Sequence, residues 1–166
     1  MKNTALRAET QSVSNTDIVF KNEDHEKFYY EKLEQARCQD CYHRALIYVL
    51  GISGDTRKHF SQIYDMKSGY IKTECLYQGW QTSGSIKVIR LAFNLYTDGT
   101  PGVTYFEGGD RQVSECRSYS VSDIFCSSYA VYFWEGIKLR YPEYCHRQKS
   151  VEEILEGMKE KKSAEG

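Results

Sequence analysis

Apolar residues recur at helical spacing in several stretches of the chain. Asn22 is a suitable N-cap for a first helix, in which Tyr29, Leu33 and Ala36 share one side. Asp40 can cap a second helix. In that helix and in a later one, apolar side chains fall at i, i+3, i+4, i+7 and i+8. The two stripes are Tyr42, Ala45, Leu46, Val49 and Leu50, and Val88, Leu91, Ala92, Leu95 and Tyr96. Both stripes predict amphipathic helices packed on a core.

The segments between these helices predict shorter elements. Residues 55–64 fit a short helix, and Ser120 can begin a helix that ends at Tyr141 and Pro142. The residues that this last helix is expected to bury are Ala130, Phe133, Trp134 and Ile137. Short extended pieces are predicted at 17–20, 70–72 and 103–106, with a turn at 97–102. The predicted fold is therefore α+β, mainly α, a single compact domain of about six helices with a few short strands.

The ends of the chain differ from its middle. Residues 1–16 are polar and mixed in charge, which predicts a flexible N-terminal tail, and residues 17–146 are expected to form the globular domain. Ser150 and Glu153 form a capping box ahead of an apolar stripe of Val151, Ile154, Leu155 and Met158. Residues 147–166 are therefore expected to be a short amphipathic helix and tail.

Composition and charge narrow the possible functions. The 166 residues carry a formal net charge of -1, so no overall electrostatic attraction to nucleic acid or to an anionic membrane is expected. No run approaches the roughly 20 apolar residues of a membrane span, and the first residues do not resemble a signal peptide. We expect a cytoplasmic protein with reduced cysteines. Its 14 tyrosines suit either the edges of a core or a protein-binding surface.

A pair of cysteines is the sharpest chemical motif. Cys38 and Cys41 have the C-x-x-C spacing that lets two thiolates reach one tetrahedral zinc from a loop and a helix start. Cys145 and His146 are the candidates for the remaining ligands, and His43 is another. Ordinary reduced thiols are the alternative interpretation. We expect that the protein requires no cofactor, and a zinc bound here would mainly stabilise the fold.

No combination of residues predicts catalysis. No cysteine is marked as activated by a neighbouring histidine, and Cys126 is expected to belong to the core. Residues 79–85 precede a strong helix, whose start could hold an anion or a carboxylate of a partner. Plain N-capping, with Trp80 packed into the core, is the alternative for this segment. We therefore expect a protein that is not an enzyme.

Four strings make the chain resemble a known group of proteins. They are LYQGWQTSGS at 76–85, which runs into VIRLAFNLY at 88–96, and FYYEKL at 28–33, YHRALIY at 42–48 and YSVSDIF at 119–125. Together they resemble a small family of uncharacterised proteins carried by phages and conjugative elements of Gram-positive anaerobes. The resemblance covers about residues 17–146, but its motifs have no assigned chemistry and identify no functional residues.

The resemblance implies a function by association only. Small proteins of such elements that are not enzymes often counter host defences, and this class includes anti-CRISPR inhibitors of RNA-guided effector nucleases. The first expectation is an inhibitor of a type II effector that occupies a functional surface, with tyrosine-rich faces and the 107–118 loop as contact regions. The alternative is a zinc-stabilised regulatory or nucleic-acid-associated accessory protein of the mobile element. An enzyme that lacks a recognisable motif is the third possibility.

Overall fold

Helices dominate the part of the chain that the computed structural model describes, which is residues 18–102 and 116–145. Its eight α-helices are α1 (Glu23–Gln35), α2 (Cys41–Gly51), α3 (Gly54–Lys58), α4 (Phe60–Ile63), α5 (Ser83–Thr97), α6 (Val121–Phe125), α7 (Ala130–Arg140) and α8 (Pro142–Cys145). A 3₁₀ helix (Thr73–Tyr77) and a two-stranded antiparallel sheet of β1 (Tyr64–Asp65) and β2 (Tyr70–Ile71) complete it. The predicted fold class, α+β and mainly α in one compact domain, is confirmed.

Three of the four longest described helices, α1, α2 and α5, begin where the sequence predicts. The side chains of Asn22 and Asp40 accept hydrogen bonds from the first turns of α1 and α2. At the start of α5, Thr82 Oγ1 accepts from the Ser85 backbone N–H at 3.1 Å, and Ser85 Oγ accepts from the Thr82 N–H at 2.8 Å. These reciprocal bonds satisfy donors that a helix start otherwise leaves unpaired, which explains why the boundaries could be predicted locally.

The centre of the domain is α2. It packs against α1, α5 and α7, and its residues from Ala45 onwards are buried. Gly136 permits the close approach of α7, because a Cβ atom at this position would lie only 2.4 Å from Val49 Cγ2. The absence of that methyl group lets two helix backbones come together over the core.

Several predicted elements differ in the structure. Residues 18–20 form no strand, since Phe20 instead inserts among the rings of His25, Tyr29 and Tyr48. The predicted helix at 55–64 is divided at His59 into α3 and α4. The sequence pattern did not reveal the 3₁₀ helix. The predicted strand at 103–106 and the helix after Ser150 lie outside the described residues.

The segment that follows Ser120 is also divided, into α6 and α7. Cys126 follows α6 and is exposed, so its assignment to the core was wrong. Trp134 was expected to be buried but is 51% exposed. Phe133 and Gly136 define the buried side of α7, and at 100° per residue this places Trp134 on another side. Within the described ranges, no helix is long and apolar enough to cross a bilayer.

Candidate binding surface

The structure places the four predicted zinc ligands only in part. Cys41 is the first residue of α2, and Cys38 lies in the preceding loop. The Sγ atom of Cys41 lies 3.7 Å from Arg140 Nη1. Cys145 Sγ lies 4.0 Å from the carbonyl oxygen of Ile137, while His146 falls outside the described residues. Across 18–102 and 116–145, no three His, Cys, Asp or Glu side chains are grouped as metal ligands would be. The zinc site therefore stays a prediction, and the guanidinium beside Cys41 disfavours a cation there.

His43, the other candidate ligand, takes part in a chain of hydrogen bonds within the fold. Its Nδ1 lies 2.8 Å from Asp40 Oδ1, and its Nε2 lies 3.4 Å from the Tyr96 hydroxyl. Burial opposes ionisation of Asp40, but the hydrogen bonds from His43 outweigh it and hold the pKa of this carboxyl below its usual value. Both ring nitrogens of His43 therefore have hydrogen-bonding partners within the protein, so no metal is needed to account for a buried histidine at this position.

Arg140 links three helices and carries no sequence motif that could have identified it. Its guanidinium stacks on Tyr42 at 3.5 Å from the ring centroid and donates to both carboxylate oxygens of Asp98, at 2.9 and 3.1 Å. Its Nε donates to the carbonyl oxygen of Leu95. Asp98 caps the C-terminus of α5 with a left-handed φ of 54°, which this charge-assisted contact from Nη2 to both carboxylate oxygens helps to hold. The arrangement clamps the ends of α2, α5 and α7 together.

The start of α5 has the features of a cap and lacks those of an anion site. The Thr82–Ser85 capping box occupies donors that an anion would need, and Gln81 accepts a further hydrogen bond from Ser85 Oγ at 2.7 Å. Asp55 Oδ2 lies 3.4 Å from Thr82 Oγ1, so a negative charge already stands beside the helix start. Of the two interpretations of residues 79–85, N-capping agrees with the structure. Trp80, however, is only half-buried and is not part of the core interior.

Trp80 contacts a group of aromatic and amide side chains at the protein surface. Its ring stacks on that of His59, with centroids 4.1 Å apart and planes at 6°. Its Nε1–H donates to Oε1 of Gln62 at 3.1 Å and of Gln78 at 3.0 Å, and both glutamines are exposed. Tyr77, which is 70% exposed, ends the adjacent 3₁₀ helix. We call these five residues the Trp80 cluster.

Hydrogen bonds to the backbone hold the cluster in place. His59 Nδ1 donates to the carbonyl oxygen of Asp55 at 2.9 Å, which fixes the ring on which Trp80 stacks. The Tyr77 hydroxyl donates to the carbonyl oxygen of Gly102 at 2.8 Å. The cluster thus presents one exposed aromatic ring, that of Tyr77, and two exposed amide groups beside the half-buried Trp80–His59 stack. The Tyr77 hydroxyl is paired with a backbone carbonyl. Its chemistry suits the binding of a protein surface.

Long-range contacts explain why the sequence did not reveal the cluster. His59 lies between α3 and α4, and Trp80 lies between the 3₁₀ helix and α5. The two rings meet because α4 packs against the 3₁₀ helix and α3 packs against α5. The sequence marked Trp80 only as a large aromatic residue in a polar connecting segment, and this pattern was interpreted as a residue packed into the core. The 107–118 loop, predicted as another contact region, lies mostly outside the described residues.

The comparisons with known proteins identify a family. A family model described as a family of unknown function (DUF6075) matches residues 15–153, most of the chain. No curated protein matches the sequence, and no solved structure matches it either.

Proposed function

We propose that this chain, which belongs to the DUF6075 family, is a non-enzymatic binding protein that inhibits its partner by occupying a functional surface. The Trp80 cluster is the observation that supports this proposal. It carries a half-buried stacked Trp–His pair and an exposed tyrosine, and these side chains are already held by hydrogen bonds. Ordering side chains costs binding energy, so a surface whose rings are already ordered binds with a smaller entropic loss.

The proposed partner is a type II RNA-guided effector nuclease, met in the cytoplasm of the host. The resemblance to proteins of phages and conjugative elements supports this choice, since anti-CRISPR inhibitors belong to the same class of small proteins. The net charge of -1 argues against competition for nucleic acid by charge alone. Inhibition would therefore rest on shape and aromatic contacts, with no cofactor and no direct binding to nucleic acid.

Trp80 and Tyr77 are the proposed energetic centre of the contact. Tryptophan and tyrosine are enriched among interface residues whose truncation costs 2 kcal/mol or more. At about 1.4 kcal/mol for each tenfold change, such a loss weakens the dissociation constant about 30-fold. The exposed amides of Gln62 and Gln78 lie beside the tryptophan and would supply polar contacts around it.

The test is co-elution of the purified chain with a guide-loaded type II effector on a sizing column, followed by target cleavage across a titration. We expect a stable complex and a stoichiometric loss of cleavage. Trp80→Ala and Tyr77→Ala are each expected to weaken inhibition about 30-fold or more.

Tyr144→Ala is the matched control, because Tyr144 is 85% exposed and lies on α8, outside the Trp80 cluster. It is expected to inhibit like the unmodified chain. No complex and unchanged cleavage at a large excess of the chain would refute the nuclease as partner. A complex that tolerates both Trp80→Ala and Tyr77→Ala would instead refute the cluster as the contact surface.

The alternative function is a zinc-stabilised regulatory or nucleic-acid-associated accessory protein of a mobile element. One observation favours it: two of the predicted ligands, Cys41 and Cys145, both lie near the last turn of α7. The Arg140 guanidinium beside Cys41 opposes a cation there and would have to move away for zinc to bind. Stoichiometric zinc, together with salt-dependent retention of nucleic acid, would support this alternative over the inhibitor.

A further inference from the structure

The imidazole of His59 is the group in the Trp80 cluster whose charge can change near neutral pH. Histidine is the side chain that ordinarily gains or loses a proton between pH 5 and 8. His59 lies between α3 and α4 and is half-buried. Its ring faces that of Trp80, with centroids 4.1 Å apart and planes at 6°. A positive charge on the imidazole would therefore lie directly against the indole.

Hydrogen bonding fixes which nitrogen of His59 can take up the proton. A carbonyl oxygen only accepts, so Nδ1 carries the hydrogen that it donates to Asp55 at 2.9 Å. Nε2 of the neutral ring is then an acceptor, and it is open to solvent without a hydrogen-bond partner among the described residues. A proton on Nε2 therefore breaks no contact of the fold. His25 differs, since its Nδ1 accepts from the backbone N–H of Lys21.

A proton on Nε2 would strengthen the stack of the two rings. The face of an indole is electron-rich and attracts a cation that lies within about 6 Å of the ring centroid. The protonated imidazole would meet this condition at the observed separation. The indole is also held in place, because its Nε1–H donates to Gln62 and Gln78. Protonation of His59 therefore adds a cation–π contact to a ring that is already oriented.

Protonation would also change what the cluster offers to a partner. Gln62 and Gln78 each turn Oε1 towards the Trp80 N–H, which leaves their NH₂ groups as donors at the surface. Nε2 of neutral His59 is an acceptor beside these donors. Once protonated, the same nitrogen becomes a positively charged donor.

The fold supplies no counter-charge to the ring of His59. The charged residues on α3, β1, the 3₁₀ helix and the start of α5 are Asp55, Arg57, Lys58, Asp65, Glu74 and Lys87, and α4 has none. Across the described ranges, none of these side chains forms an ion pair or hydrogen bond with the imidazole, which Asp55 reaches only through its backbone carbonyl. Burial raises the pKa values of Tyr64 and Cys75, so these neighbouring groups stay neutral near pH 7.

We propose that His59 makes the Trp80 cluster sensitive to pH near neutrality. At higher pH the neutral ring presents an acceptor to a partner. At lower pH the protonated ring holds Trp80 by a cation–π contact and presents a charged donor. The inference goes beyond the proposed function and concerns the chain alone, so its test needs no partner.

The fluorescence of Trp80 tests this proposal. The chain contains two tryptophans, so Trp134→Phe leaves Trp80 as the only one. A protonated imidazole quenches an indole that it contacts, because the excited indole donates charge to the cation. We therefore expect the emission of Trp80 to fall between pH 8 and 5.5 and to recover on return to pH 8. In the same background, His59→Gln is expected to remove this loss of emission, since an amide does not titrate.

Trp80→Phe, with and without His59→Gln, is the matched control. It reports on Trp134 alone, and the two chains are expected to show the same dependence on pH. Emission of Trp80 that stays constant from pH 8 to 5.5 would overturn the proposal. A fall that persists after His59→Gln would also overturn it, because another group would then be responsible.

A second measurement applies even if His59→Gln disturbs folding. The Cε1–H resonance of His59 is followed by NMR against pH in the unmodified chain and in Trp80→Leu. A cation–π contact at the surface strengthens proton binding about two- to fivefold, so the midpoint of the titration is expected to fall by about 0.4–0.7 pH units in Trp80→Leu. Equal midpoints would mean that the indole does not stabilise the charged ring, which is contrary to the proposal.

Discussion

His25 is expected to make the stability of this protein depend strongly on pH between about 4 and 6.5. The ring is fully buried, and its two nitrogens face one acceptor and one donor. Nε2–H donates to the carbonyl oxygen of Tyr48 at 2.7 Å, and Nδ1 accepts from the backbone N–H of Lys21 at 3.3 Å. A proton on Nδ1 would face the Lys21 N–H donor. The neutral ring is therefore the form that the fold accommodates.

Burial lowers the pKa of His25 from 6.5 to about 4, and the hydrogen bond to Tyr48 offsets only part of this effect. Below pH 6.5 the unfolded chain binds a proton that the folded chain does not bind, so stability falls as the pH falls. The loss is complete near pH 4, where the folded protein is protonated as well. At 1.36 kcal/mol for each pKa unit, His25 alone accounts for about 3 kcal/mol. That is a large part of the 5–15 kcal/mol typical of a domain.

The assay is urea unfolding at several pH values between 4 and 7.5, for the unmodified chain and for His25→Gln. We expect the variant to lose about 2–3 kcal/mol less than the unmodified chain over this range, because its side chain does not titrate. Tyr29→Phe is the control within the same ring cluster, and it is expected to keep the full pH dependence. Equal slopes for His25→Gln and the unmodified chain would refute the assignment to His25.

Four further outcomes follow from contacts in the structure. Tyr29→Phe is expected to leave the free energy of unfolding unchanged or to raise it by up to about 1 kcal/mol, since the buried Tyr29 hydroxyl has no hydrogen-bond partner among the described residues. A decrease of more than about 1 kcal/mol in urea unfolding would contradict this. Gly136→Ala should destabilise by about 1–2 kcal/mol, because the new methyl group would overlap Val49, whereas Gly79→Ala, with open space around it, should change little. Arg140→Lys keeps the charge but loses the Nε–H bond to Leu95 and the planar stack on Tyr42, and it should cost about 2 kcal/mol by the same assay. A cost below about 0.5 kcal/mol would show that the guanidinium geometry is unimportant there. Elemental analysis is expected to find no stoichiometric zinc, and one ion per chain with unfolding on chelation would establish the zinc-stabilised alternative.

Local sequence signals predicted the helices that begin with a good cap and carry one apolar stripe. Asn22, Asp40 and Thr82 cap α1, α2 and α5 because each places an oxygen next to backbone donors only a few residues away. These interactions lie within one turn of helix, so neighbouring residues contain all the information. Segments without such signals, such as the 3₁₀ helix and the break between α6 and α7, were not predicted.

The amino-acid sequence by itself determined the fold class and the starts of α1, α2 and α5. Only the tertiary structure decided that His59 stacks on Trp80 and that Arg140 binds Asp98, because these partners lie 21 and 42 residues apart. It also decided which side of α7 is buried. A helix with apolar residues on both sides can pack in either orientation, and the close contact of Gly136 with Val49 selects the one that leaves Trp134 exposed.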